Sequence, residues 1–269
     1  MATISIVLAT FNEEKNIREC LNSVKGLADE IVIVDGGSKD KTVQIANEYG
    51  AKVAVTSNPP IFHINKQKAI DSATKDWILQ LDADERVTPE LAKEIKEKIG
   101  NWKLPLGSEL GIEGEIGNSD VVGYWIPRKN WFLGRFLMKG GQYPDYTLRL
   151  YRRGMGKLPQ KDVHEQAIVD GKTGYLTQPL IHMADPTLFR YLVRFNRYTS
   201  LLADQLHERK IDANPLYALK YILALPSWWF FWTYIRHKGF MDSWQGFLFS
   251  FFSALRFPVA YFKSLRNIQ

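Results

Sequence analysis

Four short apolar runs, Ile4 to Leu8, Glu30 to Asp35, Lys52 to Thr56 and the stretch that opens at Trp77, are separated within the first 100 residues by segments of helical spacing. Ile17, Leu21 and Val24 mark the first of these, within Asn12 to Lys25. Asp40-Lys41-Thr42 opens a second that runs through Tyr49 to Gly50, a residue free to adopt the left-handed conformation of a helix end, and a third lies around Lys66 to Ala73. Strand and helix in strict alternation predict a parallel sheet with right-handed crossovers. A fourth helix starts at Thr88-Pro89-Glu90, with Leu91, Ile95 and Ile99 on its inner face. The pattern then changes. Asn101 to Val122 is rich in Gly and acids and reads as a loop or small hairpin, mixed strands are predicted at 124–127 and 146–151 around a loop at Gly140-Gly141, and beyond Pro186 the chain turns helical and basic.

The central run, Trp77-Ile78-Leu79-Gln80-Leu81, ends in Asp82-Ala83-Asp84-Glu85. Open α/β sheets bind ligands at the carboxyl ends of their strands, and two carboxylates one residue apart can both turn toward a hard divalent cation such as Mg²⁺ or Mn²⁺. Standing alone, Asp-x-Asp is equally a solvated turn or the acidic start of a helix; its place at a strand end gives it weight. Asp35 ends the second strand in the same way, so two strands present acids to one crevice. No Gly-x-Gly-x-x-Gly follows the first strand and no phosphate-binding lysine loop is present, which excludes a dinucleotide or nucleoside-triphosphate cradle. Acids for a metal-bound diphosphate without such a loop point to a nucleotide-sugar transferase.

Five segments then carry a resemblance: Leu8-Ala9-Thr10-Phe11-Asn12-Glu13-Glu14, the run from Ile31 through Asp35-Gly36-Gly37-Ser38 to Thr42, Leu81-Asp82-Ala83-Asp84-Glu85, Pro144 to Arg152, and Val163-His164-Glu165. In this order they resemble family 2 glycosyltransferases, most of all the bacterial branch of lipopolysaccharide core β-1,4-glucosyltransferases. The resemblance implies an α/β GT-A fold, a Rossmann-like mixed sheet flanked by helices over residues 1–186, and an inverting, metal-dependent transfer of a hexose, glucose in that branch, from a UDP-sugar to a lipid-linked saccharide. It implies that Ala9, Thr10 and Glu13 line base and ribose, that Asp35 meets the uracil, that Asp82 and Asp84 hold ribose and metal, and that Glu165 is the base for the acceptor hydroxyl. Lys66 keeps the family's lysine, though its neighbours here are Asn65 and Gln67 where the family usually has Gln and Asn. His182 or His164 supplies a further metal ligand, with a satisfied core histidine as the alternative for His182. Arg149 and Arg152 are three apart in a strand and point to opposite faces, so at most one of the two reaches phosphate unless the strand has ended, and Arg152 is the one expected to. A polyprenyl-phosphate acceptor and a non-catalytic saccharide-binding relative are the competing readings.

Charge is uneven. Of a net +6, residues 190–269 contribute 11 Lys and Arg against 4 Asp and Glu, and aromatic residues concentrate there too. No nucleic-acid module is recognisable, so a basic, aromatic tail predicts an anionic membrane surface as partner. Leu216 to Ile235 carries a single charge, Lys220, with Pro226 and the aromatics Trp228 to Trp232 at its centre, and Trp244 to Phe262 repeats the theme, interrupted by Arg256 and Pro258. Three readings stand for residues 187–269: helices lying in the headgroup layer, a helical subdomain packed on the catalytic domain, and true spans. Tryptophan's preference for the interface favours the first. The lone Cys20 is expected in the core, and with no signal peptide in view the expectation is a cytoplasmic protein, peripheral or monotopic on the inner membrane face.

Overall fold

The computed structural model describes residues 2–59, 61–100, 121–159 and 166–266, and the chain divides into two compact units, 1–128 with 146–182 and 129–145 with 183–269. The expected loop at 101–122 lies outside the described residues except for Val121 and Val122, which open a strand.

In the first unit β1 (Ile4–Thr10), β2 (Glu30–Asp35), β3 (Lys52–Val55) and β4 (Trp77–Gln80) run parallel in the order β3-β2-β1-β4. Both faces are covered, so β1 is apolar almost throughout. Ile4, Ile6 and Leu8 point into a core with α1 (Ile17–Ser23), α2 (Thr42–Glu48) and α4 (Pro89–Gly100), while Val7 joins α3 (His63–Asp71) on the other face. Leu91, Ile95 and Ile99 are buried as the spacing predicts, and Cys20 is fully buried. Thr88 caps α4, its hydroxyl accepting from the Leu91 N–H at 3.1 Å. The first helix begins later than expected because residues 12–16 form a hook, with Asn12 at φ 54°.

After β5 (Glu85–Val87) the sheet becomes mixed. The long β6 (Val121–Phe132) carries β7 (Arg135–Phe136) as a hairpin, and β8 (Asp145–Arg152) lies antiparallel beside β4 with Trp77 opposite Arg152 and Leu79 opposite Leu150. β9 (Gly156–Lys157) and β10 (Ile168–Val169) form a separate ribbon, and β11 (Lys172–Tyr175) flanks β6. β12 (Leu180–Asp185) pairs antiparallel with β5, placing His182 opposite Glu85.

At the amino-terminal edge of the sheet Glu30 is buried with four donors: Ser5 Oγ at 2.5 Å, Lys52 Nζ at 2.7 Å, and the Thr74 N–H and hydroxyl at 2.8 and 3.0 Å. Burial alone would raise this carboxyl; the donors outweigh it and bring it down to about 2.

The second unit joins Met183 onward with Lys129–Asp145. It takes in the end of β6, the β6–β7 hairpin and residues 137–145, because that segment packs with the carboxyl-terminal helices. Phe132 and Leu137 share a core with Tyr191 of α5 (Leu188–Glu208), and buried Asp242 accepts from the Met138 and Lys139 N–H groups at 2.9 and 2.7 Å. A helical run over 215–236 follows. Pro226 lies just after a π-helical segment, Leu219–Ala224, where the wider turn accommodates a ring and a missing N–H that a regular helix would not. A second such segment is Phe231–Arg236. The turn Gly239–Asp242 leads into the final helix, Ser243–Arg266, which continues through Pro258 rather than being interrupted there. A Cβ on Gly246 would stand 1.9 Å from the Gly239 carbonyl oxygen, so only glycine permits this approach. Among the described residues no helix is long and apolar enough to cross a membrane.

Candidate active site

The carboxyl ends of β1, β2 and β4 open on one edge, and every residue of the site belongs to the first unit. Asp35, directly opposite Thr10, is fully buried at the end of β2. Its Oδ1 accepts from the N–H groups of Gly37 and Ser38 at 2.9 and 2.7 Å, and its Oδ2 from the hydroxyls of Thr10 and Ser38 at 2.8 and 2.6 Å. A carboxylate offers about four lone-pair sites, and all four are used. With all four positions filled, a further donor would reach Asp35 only by exchange with one of these, the rotatable hydroxyls being the ones able to yield.

The same loop is sewn to the one after β1. The Asn12 N–H donates to Ser38 Oγ and the Lys39 N–H to Asn12 Oδ1, both at 2.8 Å, and the Glu13 N–H donates to Thr42 Oγ1 at 2.7 Å. Glu13 Oε2 accepts from Asn16 Nδ2 at 2.7 Å, and Ala9 lies opposite Val34 at the strand end. Thus Ala9, Thr10, Glu13 and Asp35 are brought to one edge by the turn chemistry of two loops.

Beside them is a buried charge cluster. Asp82 Oδ1 pairs with Lys66 of α3, and its Oδ2 with Arg149 Nη2 at 2.7 Å. The same Nη2 lies 2.9 Å from Glu85 Oε1, Arg128 Nη1 stands 3.5 Å from that oxygen, and Glu85 Oε2 accepts from the Asp82 N–H at 2.9 Å. Burial would raise the Asp82 carboxyl, but Arg149 and Lys66 outweigh it and hold it well below the usual carboxylate range. For Lys66 burial prevails over the attraction of Asp82 and lowers its ammonium, whereas the guanidinium of Arg149 is raised by Asp82 and Glu85 against the opposing effect of burial.

Asp84, next but one along the chain, faces elsewhere. Its Oδ1 is 3.7 Å from His182 Nε2, with both side chains largely buried. A carboxylate oxygen and an imidazole nitrogen at this separation form a donor pair that Mn²⁺ or a similar cation accepts. The two oxygens of Asp82 are already shared between cations. No group of three or more metal-binding side chains occurs among the described residues, so a cation here would draw further ligands from substrate or water.

Lys66, Asp82, Asp84 and His182 are therefore brought together. Arg152 is not: it lies opposite Trp77 at the start of β4, five residues and about 16 Å of strand from Asp82. β8 runs antiparallel to β4, so its carboxyl end points away from the site, and Arg149 is the arginine that reaches it. Glu165 and His164 lie outside the described residues. Glu85 stands inside the Leu81 to Glu85 segment with no role assigned from sequence, and Arg128 carries no motif; the contacts of both with Arg149 or with each other emerge only in the folded sheet. The altered neighbours of Lys66 have structural partners, Asn65 Nδ2 donating to the Ser57 carbonyl at 2.8 Å and Gln67 Oε1 accepting from the Leu158 N–H at 2.7 Å.

A mixed α/β sheet flanked by helices, with acids gathered at the carboxyl ends of its first parallel strands, is the fold of the GT-A glycosyltransferases. The mannosyltransferase PcManGT of Pyrobaculum calidifontis, solved with GDP-Man and Mn²⁺, shares this fold at a TM-score of 0.56 and 14% identity, covering 100% of this chain and 88% of that one. The family model described as "Glycosyl transferase family 2" matches residues 5–155, and the chain belongs to that family. It is 26% identical over 267 residues to the lipopolysaccharide core biosynthesis glycosyltransferase LpsC of Rhizobium meliloti, covering 94% of this chain and 91% of LpsC. It is 27% identical over 282 residues to an uncharacterized glycosyltransferase of Rickettsia felis, covering 100% of this chain and 90% of that protein.

Proposed function

We propose that this glycosyltransferase is a metal-dependent, inverting enzyme that moves a hexose, glucose in the first instance, from a UDP-sugar to a lipid-linked saccharide such as lipopolysaccharide core at the cytoplasmic membrane face. The observation that carries the donor half is the divided Asp82-Ala83-Asp84 motif, one acid clamped between Lys66 and Arg149 and the other set 3.7 Å from His182. Similarity to LpsC over nearly its whole length favours the acceptor half.

In this reading Thr10, Glu13 and Asp35 frame base and ribose, with Ala9 at the strand end leaving room for them. Asp82, kept ionised by its two cations, retains a lone pair on each oxygen and can accept from a ribose hydroxyl. Asp84 and His182 would hold a divalent cation, which neutralises charge on the departing diphosphate. Glu165 takes the proton of the acceptor hydroxyl as that oxygen attacks the anomeric carbon in line.

Thermal stability against UDP, UDP-glucose, UDP-galactose and GDP-mannose, each with and without Mn²⁺, tests the donor half. Stabilisation by a UDP-sugar that depends on Mn²⁺ is expected, and Asp84→Ala and His182→Ala should each lose the metal-dependent part while the apo protein keeps its melting point. A Glu165→Gln variant should bind donor normally and transfer at least about 100-fold more slowly. Metal-independent binding, or binding of GDP-mannose alone, would overturn the assignment.

A further inference from the structure

The second unit carries an apolar surface that the donor site does not use. Along the helical run 215–236 the residues Leu219, Leu223, Trp228, the adjacent pair Phe231 and Trp232, and Ile235 follow at steps of three to five positions and are all exposed, Leu223 by 59% and Trp228 by 57%. The opposite side of the run is occupied: Tyr221 and Thr233 are buried, Tyr221 stacks on Tyr261 at 5.5 Å, and Trp229 meets Phe257 edge-on at 5.9 Å. The apolar side is therefore a surface left over after packing. At about 1.5 Å per residue it extends for about 25 Å. The turn that follows prolongs it with exposed Phe240 and Met241, and Trp244 opens the next helix with its side chain half exposed.

The charges flanking this surface have one sign. Residues 213–241 hold Lys220, Arg236 and Lys238 and no Asp or Glu. Lys220 lies near one end of the stripe, and Arg236 and Lys238 at the other, where Lys238 is held outward in a left-handed turn at φ 57°. An apolar stripe bounded by cations and rich in tryptophan matches the headgroup layer of a bilayer, which offers acyl chains beneath and phosphates at the rim. A second copy of the chain, meeting this surface with its own, would set cations against cations with no acid between them.

We infer that residues 215–241 lie flat in the headgroup layer of an anionic membrane, with the tryptophans at the acyl boundary and Lys220, Arg236 and Lys238 on lipid phosphates, docking the enzyme without crossing the bilayer. This deepens the proposed function, resting on it for its purpose, by naming the surface that meets the acceptor's membrane.

The test is flotation of the full chain with vesicles of phosphatidylcholine, alone or mixed with phosphatidylglycerol. Wild type should float with both and more strongly with the anionic mixture. Trp228→Ser/Trp232→Ser should weaken binding to both at least about tenfold, and Arg236→Gln/Lys238→Gln should abolish the preference for anionic lipid, about tenfold or more for two cations. UDP-sugar stabilisation, measured on the same variants, should be unchanged. Failure of wild type to float, or wild-type flotation by both variants, would overturn the proposal while leaving the donor assignment to its own assay. So would sedimentation showing a wild-type dimer that Trp228→Ser/Trp232→Ser converts to monomer, which would give the surface to a second copy.

Discussion

Replacing Arg149 by Met removes the cation whose single nitrogen touches both acids of the charge cluster, half-buried Asp82 at 2.7 Å and fully buried Glu85 at 2.9 Å. Arg149 and Glu85 are both buried, so water cannot take over. Removing one partner of a buried ion pair costs about 3–5 kcal/mol, most of it the penalty of stranding the remaining charge. Lys66 still holds Asp82 and Arg128 is 3.5 Å from Glu85, so the lower end, about 3 kcal/mol, is expected. For a unit of this size that is a fall in melting temperature of about 6–12 °C. The double variant Arg149→Met/Glu85→Gln, which strands one charge fewer, should recover about half of it. The deficit must also depend on pH. In the wild type the Asp82 carboxyl is depressed, so its contribution is present above the unfolded carboxylate value and fades as pH falls. In the variant burial is opposed by Lys66 alone and that carboxyl titrates higher, so the gap between the proteins narrows on acidification. Melting curves at pH 7.5 and at about 3, below the unfolded carboxylate value, measure both effects. A variant within about 1 kcal/mol of wild type at neutral pH, or a gap independent of pH, would refute the reasoning.

Three further outcomes are expected. Glu30, at about 2 when folded against 4.5 as its ordinary value, contributes stability that is present above pH 4.5 and lost as pH falls toward 2. Because Lys52 is largely exposed and its share is screened, Glu30→Gln should cost about 2 kcal/mol at pH 7 and almost nothing at about pH 1.5, below the folded value, as read by urea denaturation. Gly246→Ala would drive a methyl into the Gly239 carbonyl, so a loss of about 3 kcal/mol or more, with loosened near-ultraviolet circular dichroism from the aromatic second unit, is the expected result. Cys20, fully buried with its thiol raised chiefly by that burial, should resist a thiol reagent at pH 8 until the protein unfolds; rapid labelling of the native chain would contradict the core placement.

What could be read from the sequence was what is local. Leu91, Ile95 and Ile99 announce a helix face by spacing, and Asp35, Asp82 and Asp84 announce a ligand edge because each follows a strand. Two-residue alternation also establishes that Arg149 and Arg152 diverge. Which of them enters the site depends on the direction and register of β8 against β4, a long-range pairing with no signature in either segment. Arg128, and the part Glu85 plays beside it, were hidden for the same reason. The transfer of residues 129–145 to the second unit rests on Asp242 reaching the amides of Met138 and Lys139 more than 100 positions away, a contact that no periodicity encodes.

The four donors on Asp35 bear on the speed of recognition. A loop that orders only when its ligand arrives takes the entropy of that ordering from the affinity. Here Thr10, Gly37 and Ser38 converge on one carboxylate and Asn12 bolts the neighbouring loop to Ser38. Under the proposed function, a donor nucleotide would meet a cradle already in shape, and its capture would be governed by encounter and by the shedding of water rather than by a slow folding of the loops around it.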